Sequence, residues 1–418
     1  MKQSDASPAM LVILCGVVAA LHVGKLPPAI PLLQAQLGVT LVQAGFLLSL
    51  VQLAGMLAGV LVGLVADGFG LRCSMLWGLA VLAVSSALGA WVSHPVELLA
   101  LRACEGLGVL MVALPAPSLI RQCVPPASLA RFLGMWGAYM PTGTALALLL
   151  GPWVLGSMGW VGWSWLMAAA TSAVWVLASR GLPMVAGSIP VQAGAGQGSN
   201  HPPEPARPPK PIADLWRSHG DRLFQTLSAA GPWVVALAFA MYSSQWLAVV
   251  GFLPSVYAEA GVSGQLAGVL TAAVCAANIL GNVAAGRLLH KGVSARTVLT
   301  VGFVTMGVMA WLAFHPVVAT LPGGQFVFVW LFSAVGGVVP GTLFSLAVAL
   351  APSQQTVSTT VGWVQQCSSA GQFAGPPLVA WVAAQQGGWQ HTWVVTGVAA
   401  VIGLMLVRSL PTGHRMQR

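Results

Sequence analysis

The chain has 418 residues, of which 57% are hydrophobic and only 6% are charged. Soluble domains carry roughly 25% charged residues, so this composition excludes a water-soluble fold. The net charge of +9 comes from basic residues dispersed among short segments between apolar runs, which argues against a nucleic-acid-binding surface. The chain is therefore predicted to lie in a lipid bilayer.

Apolar runs recur from one end of the chain to the other, each near the roughly 20 residues that a helix needs to cross a bilayer. Backbone groups cannot bond to water inside lipid, so these uninterrupted runs are predicted to be α-helices. The twelve predicted spans cover residues 9–32, 43–65, 73–92, 97–120, 130–154, 161–181, 231–256, 263–286, 297–315, 326–350, 358–384 and 389–408.

The basic residues predict the orientation of these spans. All Lys and Arg residues except Lys25 and Arg102 fall in segments on the side of the membrane where span one begins. Basic loops are retained on the cytoplasmic side, so both termini are predicted to be cytoplasmic. The expected location is the inner membrane of a bacterium, with the chain crossing it many times.

The predicted organisation has two six-helix units, residues 1–181 and 231–418, joined by a linker at 182–230. The first part of the linker is rich in Pro and Gly and is not expected to pack as a domain. Its last part, Asp214–Leu227, is predicted to form a short amphipathic helix suited to anionic lipid headgroups. We expect the chain to act as a monomer.

Span one carries two ionisable side chains, His22 and Lys25, three residues apart and so on one predicted helical face. His22 is a candidate for proton coupling because its unperturbed pKa of about 6.5 lies in the working range. The alternative is a buried histidine with satisfied hydrogen bonds. Lys25 is predicted to attract an anionic or polar solute, the alternative being that its long stem reaches the membrane interface.

The sequence repeats itself between its two halves. A duplicated six-helix unit is typical of carriers in which two bundles rock around a central site. In this alignment Phe252 stands where the first half has Lys25, so the repeat itself does not require the charge. The matching segments are Val23–Pro27 with Val250–Pro254, Gly38–Thr40 with Gly261–Ser263, and Gly151-Pro152 with Gly375-Pro376.

The loop between spans two and three contains Gly63, Asp67, Gly70 and Arg72 in the order GLVADGFGLR. This segment resembles the GxxxDxxGR loop of the major facilitator superfamily, although Gly68 stands where a basic residue is common. The resemblance implies an all-α membrane fold of two pseudo-symmetric six-helix bundles, with the loop acting as a gate. Gly70 permits a tight turn, and Asp67 can pair with a cation or cap a helix end in one conformation only.

Span four contains Arg102 and Glu105 in the order RACEGLG, which is similar to the RxxxGxG motif of the same family. The resemblance associates the arginine with proton coupling or substrate charge. An arginine inside a membrane is expected to face the bundle interior and to be paired, and Glu105 is the nearest partner. Glu105 is the second candidate for proton coupling. The alternative is that the pair is a structural clasp.

Two further likenesses to the family are weaker. Gly134, Gly143 and Gly151 of span five partly resemble an antiporter signature, but the spacing departs from it, so no antiport is inferred. The ending Ala29–Pro31 of span one resembles drug exporters, which carry an acidic residue where this chain has His22. A cationic substrate is therefore not expected.

Polar side chains also recur in the second half. In lipid, such groups either join helices or line a cavity, and we expect them to line the cavity. The charge chemistry is expected in the first bundle and the specificity in the second. The predicted substrate-binding residues are Lys25, Arg102, Tyr242, Gln245, Gln365, Ser369 and Gln372, with Asn278 and Asn282 forming a further polar stripe on span eight.

Other classes of protein fit poorly. The chain contains no GxxxxGK[ST] loop for nucleotide-driven transport. His94, His315 and His391 stand singly, so no metal, cofactor or enzymatic centre is expected. The sequence thus predicts a secondary transporter that moves a small anionic or polar organic solute, coupled to protons. The alternative is an exporter of a drug or metabolite.

Overall fold

The computed structural model describes residues 7–58, 70–183, 212–315, 318 and 323–410. Within these ranges the regular secondary structure is helical. Among the described residues, ten segments are long and apolar enough to cross a membrane. One of them, Tyr139–Gly181, is a double span, and the polar helix Val357–Gln386 adds another. The predicted architecture of twelve spans is therefore confirmed.

The first half supplies spans one to six. Gly159, with φ of 65°, interrupts the 43-residue helix Tyr139–Gly181 and separates span five from span six. This boundary agrees with the predicted spans at 130–154 and 161–181. The helices are Ser7–Gly24 and Ile30–Leu37 (span one), Leu41–Ala58 (two), Leu71–Leu88 (three), Pro95–Ala113 and Ala116–Cys123 (four), and Pro126–Gly137 and Tyr139–Gly181 (five and six).

The second half supplies spans seven to twelve. An additional helix, Ile212–Ser228, precedes span seven where the sequence predicts an amphipathic helix. The remaining helices are Ala230–Glu259 (span seven), Gly264–His290 (eight), Ala295–Phe314 (nine), Gly324–Gly336 and Val338–Ala349 (ten), Val357–Gln386 (eleven) and Trp393–Ser409 (twelve).

Span one was predicted to be one continuous helix, and the structure shows instead that it is broken. Its first helix ends at Gly24, and a 3-10 turn over Pro27–Ala29 precedes the next helix. Proline lacks a backbone N–H and disfavours the helical conformation in the residue before it, which explains the break. Lys25 therefore lies just beyond the end of the first helix and does not share a regular helical face with His22. The break also leaves backbone carbonyls near Gly24 without helical partners.

The duplication is visible in the loops. Span two begins with Thr40 accepting a hydrogen bond from the backbone N–H of Gln43, and span eight begins with Ser263 accepting one from Leu266. Left-handed glycines precede the same spans in both halves, where a side chain would be strained. The pairs and their φ angles are Gly38 and Gly261 (64° and 75°), and Gly70 and Gly292 (84° and 83°).

The two bundles cross each other through small residues. Gly45 of span two packs against the backbone of Pro376 and Pro377 in span eleven. Gly268 of span eight packs against the ring of Pro152 and the backbone carbonyl of Leu148 in span five. Small residues allow this close approach of helices. Both crossings lie toward the face opposite to the one where span one begins.

A pair of equivalent arginines lies on the face of the protein where span one begins. Arg72 at the start of span three donates to the carbonyl of Ser179 near the end of span six, at 2.5 Å. Arg296 at the start of span nine donates to the carbonyl of Arg408 near the end of span twelve, at 2.8 Å. The last carbonyls of a helix lack helical partners and attract cations, so each arginine ties together two spans of its own bundle.

Candidate functional site

A cluster of ionisable side chains lies inside the first bundle. It consists of His22 and Lys25 from span one and Arg102 and Glu105 from span four, each at most 2% exposed. The candidate site residues of two separate spans thus lie in one cluster. Such groups are costly inside a membrane and must satisfy one another.

Glu105 is the centre of this cluster. One carboxylate oxygen, Oε2, accepts a hydrogen bond from Arg102 Nη1 at 2.9 Å, as the sequence predicted for these two residues. The other oxygen, Oε1, forms an ion pair with Lys25 Nζ and accepts a hydrogen bond from Ser86 Oγ at 3.2 Å. His22 Nδ1 lies 3.5 Å from the same Oε1 atom. Three basic residues therefore surround one carboxylate, and two of them compete for one oxygen.

Arg102 holds helices together as well as pairing with Glu105. Its Nη1 donates to the carbonyl of His22 at 2.5 Å, and its Nε donates to the carbonyl of Leu47 in span two at 2.8 Å. The carbonyl of His22 is available because the first helix of span one ends at Gly24. This geometry favours the clasp interpretation of Arg102, since its donors are directed at spans one and two.

Lys25 points into the bundle. Its Nζ donates to Ser86 Oγ at 2.9 Å and lies 5.7 Å from the centre of the Trp160 ring. The carbonyl of Lys25 accepts a hydrogen bond from Trp163 Nε1 at 3.0 Å. A side chain held in this way does not extend to the membrane interface, so the alternative of a lysine reaching the interface does not describe this conformation.

His22 is completely buried and has a partner at each ring nitrogen. Its Nε2 lies 2.9 Å from Thr171 Oγ1 in span six. Its Nδ1 lies 3.3 Å from Ser86 Oγ in span three. Ser86 and Thr171 were not predicted as site residues. Hydroxyls are common in membrane helices, and only the packing of spans three and six against span one distinguishes these two.

The equivalent region of the second bundle is apolar. Phe252 packs against Trp389 with ring centres 5.1 Å apart, where the first bundle places Lys25 beside Trp160. In the repeat alignment Val249 stands in the place of His22. The shared tryptophan shows that the two bundles use one packing scheme, and the charges are an addition specific to the first.

The predicted polar residues of span seven lie within the second bundle. Tyr242 Oη accepts a hydrogen bond from Asn278 Nδ2 of span eight at 2.9 Å. Gln245 Nε2 donates to the carbonyl of Met241 at 2.8 Å, and its buried Oε1 has no hydrogen-bond partner among the described residues. Neither side chain contacts the charged cluster through the hydrogen bonds that the described residues form.

The predicted polar stripe of span eleven divides between two environments. Gln372 Oε1 accepts from Gln52 Nε2 of span two at 2.9 Å, and Ser369 packs on Gly55 of span two. Gln365, in contrast, is exposed. For Gln372 and Ser369, the interpretation that polar groups join helices therefore describes this conformation better than the lining of a cavity.

A neighbouring amide that was not among the predicted substrate contacts strengthens the same junction. Gln366 Nε2 donates to the carbonyl of Met56 in span two at 2.8 Å. Span eleven thus meets span two through two amides, one on each side of Ser369.

The gate motif is only partly within the described residues. Gly63 and Asp67 lie outside them. Gly70 adopts its left-handed conformation directly before span three, and Arg72 bonds within its own bundle. The role of this motif as a gate remains a prediction.

An all-helical membrane protein built from two related bundles, with ionisable groups buried in one of them, has the architecture of a secondary transporter. The sequence profile of the Major Facilitator Superfamily matches residues 12–253 and 234–416. The chain belongs to this family and is a transporter, not an enzyme.

Solved structures with the same fold are also transporters. A bacterial homologue of the human lysosomal transporter Spinster, in an inward-facing and occupied conformation, has a TM-score of 0.77 at 16% identity, covering 98% of this chain and 97% of its own. The unoccupied form has a TM-score of 0.72 at 16% identity, with 97% of each chain covered. A D-xylose-proton symporter has a TM-score of 0.72 at 15% identity, with 99% of each chain covered. No curated protein sequence matches the chain.

Proposed function

We propose that this protein moves a small anionic or polar organic solute by alternating access, coupled to protons. The observation that carries the proposal is the arrangement of three basic residues around the single carboxylate of Glu105 in the interior of the first bundle. Buried charges without compensation are strongly unfavourable, so such a cluster responds to any added proton or anion.

The charge count indicates the sign of the solute. With His22 neutral, Lys25 and Arg102 contribute two positive charges and Glu105 one negative charge. Arg102 is committed to backbone carbonyls, whereas Lys25 is bound only through its Nζ to side chains. Lys25 is therefore the group that can exchange its carboxylate partner for an anionic solute when the bundles move. Tyr242 and Gln245 are proposed as the polar contacts supplied by the second bundle.

The proposed cycle moves two bundles, residues 1–181 and 231–418, about their crossings. In this cycle both termini and the linker at 182–230 lie in the cytoplasm of a bacterial cell, and the protein works as a monomer in the inner membrane. The distribution of basic residues supports this orientation. The similar fold of a D-xylose-proton symporter is compatible with proton coupling, which is a property of that protein.

The test is uptake into proteoliposomes. Purified protein is first screened by thermal shift against small carboxylates, neutral polar solutes and amphipathic drugs, and the solutes that stabilise it are then assayed with and without an inward proton gradient. We expect a carboxylate to be accumulated only with the gradient. Equal uptake in both conditions contradicts proton coupling, and stabilisation by amphipathic drugs alone supports the exporter instead.

A pair of variants tests the site. Lys25→Met removes the exchangeable charge while Arg102 still pairs with Glu105, and it is expected to weaken carboxylate uptake at least tenfold, equivalent to about 1.4 kcal/mol. Cys104→Ser is the matched control because Cys104 precedes Glu105 and is exposed. Unchanged affinity in Lys25→Met contradicts the anion site.

A further inference from the structure

We propose that Thr171 is a positioning residue that fixes the tautomer of His22, so that Nδ1 is the atom that takes up and releases the coupling proton. This inference rests on the proposed function, in which the cluster is protonated during transport. It adds two residues, Thr171 and Ser86, to the machinery and assigns the proton to one atom.

The argument begins with the hydroxyl of Thr171. Its Oγ1 lies 2.8 Å from the carbonyl oxygen of Met167, one helical turn earlier, and a carbonyl can only accept. The single hydroxyl hydrogen of Thr171 is therefore donated to Met167. The lone pairs of Oγ1 then face His22 Nε2 at 2.9 Å, so Nε2 carries the hydrogen. In neutral imidazole only one nitrogen is protonated, which leaves Nδ1 bare.

The bare Nδ1 faces a hydroxyl that can turn. Ser86 Oγ accepts from Lys25 Nζ at 2.9 Å, and its own hydrogen can go to His22 Nδ1 at 3.3 Å or to Glu105 Oε1 at 3.2 Å. With His22 neutral, Ser86 donates to Nδ1. When a proton binds at Nδ1, the Ser86 hydrogen can turn to Glu105 Oε1 instead.

The proton at Nδ1 also acts on Lys25. The charged groups facing His22 are Lys25 from span one and Arg102 and Glu105 from span four, while spans three and six contribute the hydroxyls of Ser86 and Thr171. Arg102 holds Oε2 of Glu105, whereas Lys25 and His22 Nδ1 both approach Oε1. A proton on Nδ1 therefore competes with Lys25 for one oxygen and weakens the hold of Glu105 on Lys25.

Two substitutions of Thr171 test this assignment. Thr171→Val keeps the branched shape but removes the acceptor, and Thr171→Ser keeps the hydroxyl. The readout is the ¹⁵N NMR spectrum of histidine ring nitrogens in the purified full chain at alkaline pH, with His22→Gln used to assign the signals. We expect Nε2–H and bare Nδ1 in the wild type and in Thr171→Ser. In Thr171→Val the ratio should shift toward Nδ1–H by about two- to tenfold, the effect of one hydrogen bond.

The outcomes separate this inference from the proposed function. A wild-type His22 protonated at Nδ1 and bare at Nε2 overturns the inference, and so does an unchanged ratio in Thr171→Val. If Thr171→Val does not fold, the wild-type spectrum alone decides. Uptake that is equal with and without a proton gradient overturns the proposed function, whereas the tautomer measurement does not depend on that result. A change in the pH profile of uptake in Thr171→Val, restored in Thr171→Ser, supports both.

Discussion

Gln52 of span two donates a hydrogen bond of 2.9 Å to Gln372 of span eleven, 320 positions later in the chain, and so joins the two bundles directly. Spans two and eleven belong to different bundles, and in the proposed alternating-access cycle they change their contact. We therefore expect this amide pair to be specific to the conformation described.

Removing one amide should favour the other conformation. Gln52→Leu leaves Oε1 of the partly buried Gln372 without its donor, a loss of about 0.5–1.5 kcal/mol, as is typical of one hydrogen bond. Spin-label distances between the bundles should shift accordingly, and the double variant Gln52→Leu/Gln372→Leu should recover part of the loss. Gln365→Leu is the control, because Gln365 is exposed on the same helix. Equal distances in Gln52→Leu and the control contradict the prediction.

The central carboxylate should be essential for stability. Glu105→Ala leaves Lys25 and Arg102 buried without their counter-ion, which costs about 3–5 kcal/mol for a broken buried pair. Thermal unfolding in detergent should show a large decrease in Tm. Glu105→Gln, which keeps hydrogen-bond acceptance, should lie between Glu105→Ala and the wild type. A Tm unchanged in Glu105→Ala would show that the cluster is solvated.

The crossing at Gly45 should be sensitive to added volume. A side chain there meets the backbone of Pro377, so Gly45→Leu should destabilise the closed contact by roughly 1–3 kcal/mol and separate the bundles on that face. Leu32 lines a cavity of about 250 Å³ together with Pro152, the residue against which Gly268 packs at the second crossing between the bundles.

The measurement is maleimide labelling of Leu32→Cys, on a background without the exposed Cys73 and Cys104. Labelling should become faster in Gly45→Leu. Gly134→Ala is the control, since a side chain at Gly134 meets open space. Slower labelling than in the parent would mean that the contact does not close this face.

The arginine at the start of span nine should stabilise the second bundle. Arg296→Gln removes donors to the carbonyls of Arg408 and Leu410, so we expect a loss of about 1 kcal/mol, typical of a cation at a helix C-terminus. Chemical unfolding should show it, with Arg131→Gln as the control because Arg131 is exposed in the middle of the helix Pro126–Gly137. High salt should reduce the difference, because exposed charges are screened.

Much of the fold was predictable. Hydrophobic runs predict twelve spans, because a polypeptide in lipid must satisfy its backbone hydrogen bonds internally and few structures do so. The repeated loop residues Gly38 and Gly261 predict the duplication. The pairing of Arg102 with Glu105 followed from helical spacing alone. The break in span one after Gly24 was missed, although Pro27 and Pro28 signalled it.

Other features depended on distances between helices. Ser86 and Thr171 stand among apolar residues in spans three and six, and nothing in their own segments marks them as partners of His22. Nothing in its own segment marks Gln366 as a partner of span two either, and its neighbour Gln365 was the residue predicted to be functional. One residue along a helix turns a side chain by 100°, so only the contact with span two separates the two amides.

The sequence by itself determined that this protein is a duplicated helical membrane transporter with ionisable residues in its first half, since hydropathy, repeat spacing and local pairing are properties of one segment at a time. The tertiary structure decided that Lys25 turns inward, that Glu105 is shared among three basic groups, and that span eleven bonds to span two. These depend on the packing of helices far apart in the chain, where a few ångströms separate a hydrogen bond from no contact.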